Sequence, residues 1–279
     1  MKFRKVMIDI AFRLLLPPPV LTGSGSMGFS QLQNTKHPRE TTSVYMVARL
    51  GQRKRAVKQN NTIKYEKPLL LVGGGDVNWP VLLSLIDKGH PLVAADGGAN
   101  ALADYGVTPD MIIGDLDSID LKTRQDNHAH LLEISEQQTT DFEKTLYATD
   151  APLYLAFGFL GRRYDHCLAA LHSLVKYREQ KQIILVDLVD MIWTPPSTEK
   201  FEIDLPLGTR FSIYPLEPVT FETSQGLEYP LDGLSLKQGV AIGTSNRVTG
   251  ETVRIRQTDS ENGAWAVIIP NDFIGLFTA

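Results

Sequence analysis

The residues best equipped for chemistry stand in "MIIGDLDSID", residues 111–120, where Asp115 and Asp117 lie one residue apart just after an apolar run and a glycine. Met111 to Ile113 read as the end of a buried strand, and Gly114 lets the backbone turn or approach a ligand closely. If the chain stays extended there, both carboxylates point the same way and offer their oxygens to one point. A hard divalent cation is the usual reason to tolerate that repulsion. The competing reading makes Asp117 or Ser118 the cap of a helix over 119–127.

Other polar groups follow apolar runs in the same manner. "VGGGDVN" (72–78) is a glycine turn opening a helix, and "ADGGAN" (95–100) places Asp96 before Gly97 and Gly98, with Asn100 beyond. "QQTTDFEK" (137–144) brings Gln137, then Thr140 and Asp141 in a first helical turn, then Lys144 one turn on. "GFLGRRYDH" (158–166) sets Arg163, Asp165 and His166 at a further strand-to-helix crossing. Flexible backbone, helix N-termini, carboxylates and two cations are what a Mg²⁺–polyphosphate complex requires. The chain has no Walker A sequence and no kinase-type glycine loop with its V-A-I-K lysine. Each residue also has a plainer reading: Lys144 as a solvated helix lysine, Arg163 as a structural partner of Asp165 or Glu179. His166 has only His172 near it in sequence, which is poor spacing for a metal site.

Strands and helices must hold these groups. From Pro68 the runs "LLLV", "PLVAAD", "DMIIGD", "HLLEI", "PLYLAFG" and "QIILVD" alternate with helix-like stretches around 79–88, 98–105, 119–127, 140–149 and 165–178. This alternation predicts an α/β fold, a doubly wound, mainly parallel sheet over residues 65–188, with ligands beyond the strands' carboxyl ends. After about residue 190 short β-type runs punctuated by Gly and Pro predict an antiparallel β-sandwich domain over 189–279. Trp193 and Trp265 read as sandwich core, and "HAH" at 128–130 as solvated loop.

Composition narrows the function. Residues 1–64 carry 12 Lys/Arg against 2 acids, leaving 16 against 30 in the rest, so the body is acidic and unsuited to nucleic acid. The single cysteine, Cys167, rules out an intramolecular disulfide framework and a multi-cysteine zinc site. "VMIDIAFRLLLPPPVL" imitates a signal peptide, but charges and prolines interrupt it, and no apolar run reaches the ~18 residues of a membrane helix. "GSGSMG" (23–28) matches a dinucleotide fingerprint with no strand before it and no helical period after it, which is a chance match. Residues 1–64 read as a basic, disordered extension or as translated sequence upstream of the true start.

The chain resembles the thiamine pyrophosphokinases. The resemblance rests on "ADGGAN", "GDLDSI", "TTDFEK", "GRRYDH" and, in the sandwich, "GTSN" (243–246), in the family's order over roughly residues 68–279. It implies transfer of the β,γ-pyrophosphoryl group of ATP to the hydroxyethyl oxygen of thiamine with release of AMP. It further implies a Mg²⁺ cofactor and a cytoplasmic homodimer with sites at the subunit interface, without nucleic-acid or membrane partners. Asp115, Asp117 and Asp141 match the family's Mg²⁺-binding acids. Asp96, Gly97, Gly98, Asn100, Gln137, Thr140, Lys144, Arg163 and His166 match its nucleotide side. Asp165, Tyr229, Thr244, Ser245 and Asn246 match its thiamine side. Tyr229 stands where many members have Trp, with a weaker cation–π contribution, and Gln138 where many have an acid. Either Asp165 or a metal-bound carboxylate would take the alcohol proton. The rival readings are a pyrophosphokinase acting on another small alcohol, such as a hydroxymethylpterin, and a non-catalytic sensor of thiamine or nucleotide; the "GLEYP" and "GTSN" pair favours thiamine.

Overall fold

Four-residue apolar runs become the central strands of the protein. The computed structural model describes residues 62–120, 122–123, 131–197 and 200–278. The first half runs β1 (Ile63–Lys64), β2 (Leu69–Val72), α1 (Trp79–Asp87), β3 (Leu92–Ala95), α2 (Gly98–Asp104), β4 (Met111–Gly114), β5 (Leu131–Glu133), α3 (Asp141–Ala148), β6 (Thr149–Asp150), β7 (Tyr154–Phe157), α4 (Tyr164–Tyr177) and β8 (Ile183–Val186). The second half is all strand until its end: β9 (Asp190–Trp193), β10 (Phe201–Asp204), β11 (Arg210–Pro215), β12 (Val219–Gln225), β13 (Ser235–Leu236), β14 (Gly243–Arg247), β15 (Thr252–Asn262) and β16 (Trp265–Pro270), closed by a 3₁₀ segment Asn271–Phe277.

The parallel strands lie in the order β5-β4-β3-β2-β7-β8. Strand order therefore reverses beside β2, between β3 on one side and β7 on the other, and a crevice opens beyond the carboxyl ends there. Every residue of β2, β3, β7 and β8 is buried, as strands covered on both faces must be. Leu70, Val72, Ala94 and Leu155 face Leu82 and Leu85 of α1 and Leu102 of α2. Alternate residues, Leu69, Leu71, Val93 and Ala156, face Phe142 and Leu146 of α3 and Leu174 of α4. The doubly wound expectation holds.

The helices start where their sequences allow. Asn78 accepts a hydrogen bond from the Val81 amide at 3.4 Å, with Pro80 in the first turn, where its missing N–H is harmless. Thr140 caps α3 through the Glu143 amide at 3.3 Å. Both caps fix helix starts at the crevice.

The sandwich differs from a separate domain in one respect. β8 pairs antiparallel with β9, and β16, β11 and β14 extend the same sheet to ten strands. The second sheet, β10-β15-β12-β13, shares a core with that extension, its Phe201, Phe221 and Ile255 clustering with Phe211, Trp265 and Val267. The core of α1 and α2 thus continues through Met191 and Trp193 to Phe211, Phe221 and Trp265. Trp193 and Trp265 are buried as expected, and the Trp265 indole N–H finds Gln257 Oε1 at 2.7 Å. The tight β8–β9 turn, closed by the Asp187 amide on the Asp190 carbonyl at 2.8 Å, carries the sheet across the expected boundary at 188.

One further expectation shifts. Ile63 and Lys64, assigned by sequence to the N-terminal extension, pair in parallel with Thr149 and Asp150. The rest of that extension, residues 1–61, lies outside the described residues, as do 128–130 and most of the 119–127 helix, of which 122–123 are helical. No helix among the described residues is long and apolar enough to cross a membrane.

Candidate active site

The crevice at the sheet's switch point is a cleft of about 560 Å³ walled by Gly73–Gly75 after β2, by Asp96 and Gly97 after β3, and by Gly158–Arg163 after β7. Thr140, Asp141 and His166 also face it. Its size suits a nucleotide.

Asp96 follows β3 in a left-handed conformation, φ 42°, and is only 2% exposed. Asp115 and Asp117 follow β4. Oxygens of Asp96, Asp115 and Asp117 all lie within 4.8 Å of one another. The convergence of Asp115 and Asp117 was expected, but its geometry differs: Leu116 between them is left-handed, φ 63°, and buried. A turn, not an extended strand, aims the two acids together. Asp96 was assigned to the nucleotide side and here joins the carboxylate group. Gly114 permits this, since a Cβ there would lie 2.7 Å from Asp96 Cβ.

Asp141 stands one contact away. Its Oδ1 is 3.0 Å from Lys144 Nζ, which also meets Asp115 Oδ2 at 3.1 Å. Lys144 is 2% exposed, so it is not a solvated helix lysine. Burial alone would lower its pKa, but the hydrogen bonds and charges of Asp141 and Asp115 raise it. Asp115 shows the reverse balance. Burial pushes its carboxyl up, yet hydrogen bonds from Gln137 Nε2, at 2.7 Å, and from Lys144 outweigh it and hold the group below its ordinary range. Asp96 has no such cation among the described residues, so burial, then the nearby Asp141, Asp115 and Asp117, raise it despite a hydrogen bond from Ser118. Asp96 Oδ1 and Asp115 Oδ1 are buried with no hydrogen-bond partner among the described residues. Unpartnered buried carboxylate oxygens at one point are donors that could hold a hard cation.

The supporting loops were only partly legible in sequence. Asn100, expected on the nucleotide side, clamps the Asp117 loop: Nδ2 donates to the Ser118 carbonyl at 2.8 Å, and Oδ1 accepts from the Asp120 amide at 3.0 Å. Ser118 Oγ donates to Asp117 Oδ1 at 2.9 Å. Glu136, which sequence reasoning passed over, accepts from the Gln138 amide at 2.6 Å, the Thr139 amide at 3.2 Å and the Tyr147 hydroxyl at 3.0 Å. It shapes the loop that presents Gln137 and Thr140. Burial and this carboxylate push the Tyr147 hydroxyl up to about 12. The acid before "QQTTD" was the one signal available, and solvated acids are too common for it to stand out.

At the cleft mouth Arg163 grips Asp165 with both ends of its guanidinium, at 3.1 and 2.6 Å. That pair, with the His166 amide, holds the Asp165 carboxyl down at about 2. Arg163 thus has the structural partner weighed at the outset, while still lining the cleft.

Tyr229, Thr244, Ser245 and Asn246 are not brought to this cleft. Asn246 is buried, accepting from the Tyr229 amide at 3.0 Å and donating to the Tyr229 carbonyl at 2.7 Å. The Tyr229 side chain remains 62% exposed. These residues sit on or beside β14, the edge strand six positions from β2, which at about 4.8 Å per strand is roughly 29 Å away.

Residues 82–186 match the family described as thiamin pyrophosphokinase, catalytic domain, and residues 199–261 match thiamin pyrophosphokinase, vitamin B1 binding domain. The chain belongs to the thiamine pyrophosphokinase family. Among relatives in this family, it is 29% identical over 291 residues to thiamine pyrophosphokinase 1 of Oryza sativa subsp. japonica, a match spanning 92% of this chain and 100% of that one. It is 28% identical over 193 residues to thiamin pyrophosphokinase 1 of Caenorhabditis elegans, covering 63% of this chain and 79% of the other. Its fold is that of the crystal structure of thiamine pyrophosphokinase from Bacillus subtilis, with a TM-score of 0.62 at 23% identity, over 74% of this chain and 100% of that chain.

Proposed function

We propose that this chain is a thiamine pyrophosphokinase that transfers the pyrophosphoryl group of ATP to the hydroxyethyl oxygen of thiamine, giving thiamine diphosphate and AMP. The observation that carries the reading is the group of Asp96, Asp115 and Asp117 beside a glycine-walled cleft, with buried oxygens on two of the acids unpartnered among the described residues. That donor set fits Mg²⁺, held by Asp115 and Asp117 with Asp96, and with Asp141 adjacent through Lys144. The chemistry such an ion supplies is charge neutralisation and orientation of the triphosphate.

The chain's own residues do the remainder. Lys144 keeps Asp115 ionised and holds both Asp115 and Asp141 in place. The glycine loops admit phosphate oxygens close to backbone N–H groups. Arg163 supplies a guanidinium suited to bidentate phosphate binding. Asp165, paired with Arg163 at the cleft mouth, is placed to accept the hydroxyl proton once Arg163 turns to the polyphosphate.

Tyr229, Thr244, Ser245 and Asn246 support a homodimer. Roughly 29 Å separates them from the cleft along the sheet, too far for one chain to bring thiamine to its own β-phosphate, so a second copy's β14 edge would complete the site. A cytoplasmic location belongs to the same proposal, supported by the single cysteine. Incubating the folded chain with ATP, Mg²⁺ and thiamine should release AMP only when thiamine is present, and sedimentation should give twice the chain mass. AMP release that ignores thiamine but follows another alcohol would overturn the substrate.

A further inference from the structure

Arg162 is a cleft cation that the reaction above leaves without a role. Its backbone is left-handed, φ 50°, a conformation that a long L side chain adopts roughly tenfold less readily than glycine. Its Nε donates to Asp76 Oδ1 at 2.9 Å and its Nη1 to the Gly74 carbonyl at 3.1 Å. Both side chains of that ion pair are exposed, 65% and 41%, and exposed pairs stabilise by about fivefold at most. The pair therefore does not offset the backbone cost. Nor do the two loops need it as a clasp. The Gly75 amide already donates to the Gly158 carbonyl at 2.7 Å, and the loops press so closely that a Cβ on Gly75 would come 2.6 Å from that oxygen. A fixed cation in a costly conformation at the rim of a phosphate cleft points to the anion that enters it.

We propose that Arg162 is a phosphate-binding residue for the nucleotide, held by Asp76 until it turns onto the polyphosphate chain. The inference rests on the nucleotide reading of the cleft and adds a second guanidinium beside Arg163. The test uses the full chain and its variants Arg162→Gly, Asp76→Asn and the double variant, titrated calorimetrically with inorganic tripolyphosphate, alongside thiamine-dependent AMP release. Glycine accepts φ 50° without strain, so Arg162→Gly should keep its thermal midpoint. It should bind tripolyphosphate at least about tenfold more weakly, the loss expected for one charge-assisted contact, and raise KM for ATP more than it lowers kcat. Asp76→Asn should tighten binding, and only when Arg162 is present, because the gain comes from releasing the arginine. Wild-type affinity in Arg162→Gly, or equal weakening in both single variants with matching losses of thermal midpoint, would overturn the proposal. Weakened tripolyphosphate binding in Arg162→Gly, with no thiamine-dependent AMP from the wild type, would uphold Arg162 and overturn the proposed function instead.

Discussion

Lys144→Met tests whether the buried ammonium holds the site together. Methionine fills a similar volume but leaves Asp115 and Asp141 without the charge 3.1 and 3.0 Å away. At about 3 Å and an effective dielectric near 20, each attraction is roughly 5 kcal/mol before desolvation is subtracted. Breaking a buried pair by removing one partner costs about 3–5 kcal/mol. Water reaches Asp141, whose side chain is 35% exposed, so the lower end applies, about 3 kcal/mol. For a fold of this size that lowers Tm by roughly 6–12 °C. The loss depends on pH. In the wild type Asp115 has a folded pKa below its unfolded value, so its contribution is present above about pH 4 and fades as the pH falls through the depressed value. Without Lys144, burial and the neighbouring acids dominate, and the folded pKa rises above the unfolded one. Protonation then relieves the variant, and its deficit should shrink as pH falls from 7 toward about 4.5. Urea unfolding at both pH values measures this, and added Mg²⁺ should restore part of the stability at pH 7. AMP release should fall by about 10²–10³. A deficit that is equal at both pH values, or below about 0.5 kcal/mol at pH 7, would refute the electrostatic argument.

Gly114→Ala drives a methyl group to 2.7 Å from Asp96 Cβ; overpacking of this kind should cost about 1–3 kcal/mol in unfolding free energy and weaken Mg²⁺ binding followed by calorimetry. Glu136→Gln keeps the size of the side chain but loses the charge that receives the Thr139 and Gln138 amides; kcat should drop while KM for thiamine holds, and Tyr147, now held near 12, should titrate lower in an absorbance titration. Asn246→Ala leaves the Tyr229 amide and carbonyl unpaired and should cost about 1–3 kcal/mol, with a higher KM for thiamine and an unchanged affinity for tripolyphosphate.

Sequence by itself determined what depends on near neighbours. Apolar runs at Leu69–Val72, Leu92–Ala95 and Ile183–Val186 had to be doubly buried strands, because nothing in them suits water. Glycines and acids at strand ends marked the ligand side of the sheet, and Thr140 marked the start of its helix. Motif order carried the family. Tertiary structure decided whatever joins residues distant in the chain. Asp96 entered the carboxylate group because β3 and β4 are neighbours and Gly114 has no side chain. Lys144 became an interior cation only once α3 was laid against β4, a placement no helical period announces. Leu116 turned left-handed to aim Asp117, Glu136 gathered the loop before α3, and β9 carried the sandwich onto the parallel sheet. Such partners are chosen by packing across the whole sheet, and a local stretch of sequence holds no record of which strand will lie beside it.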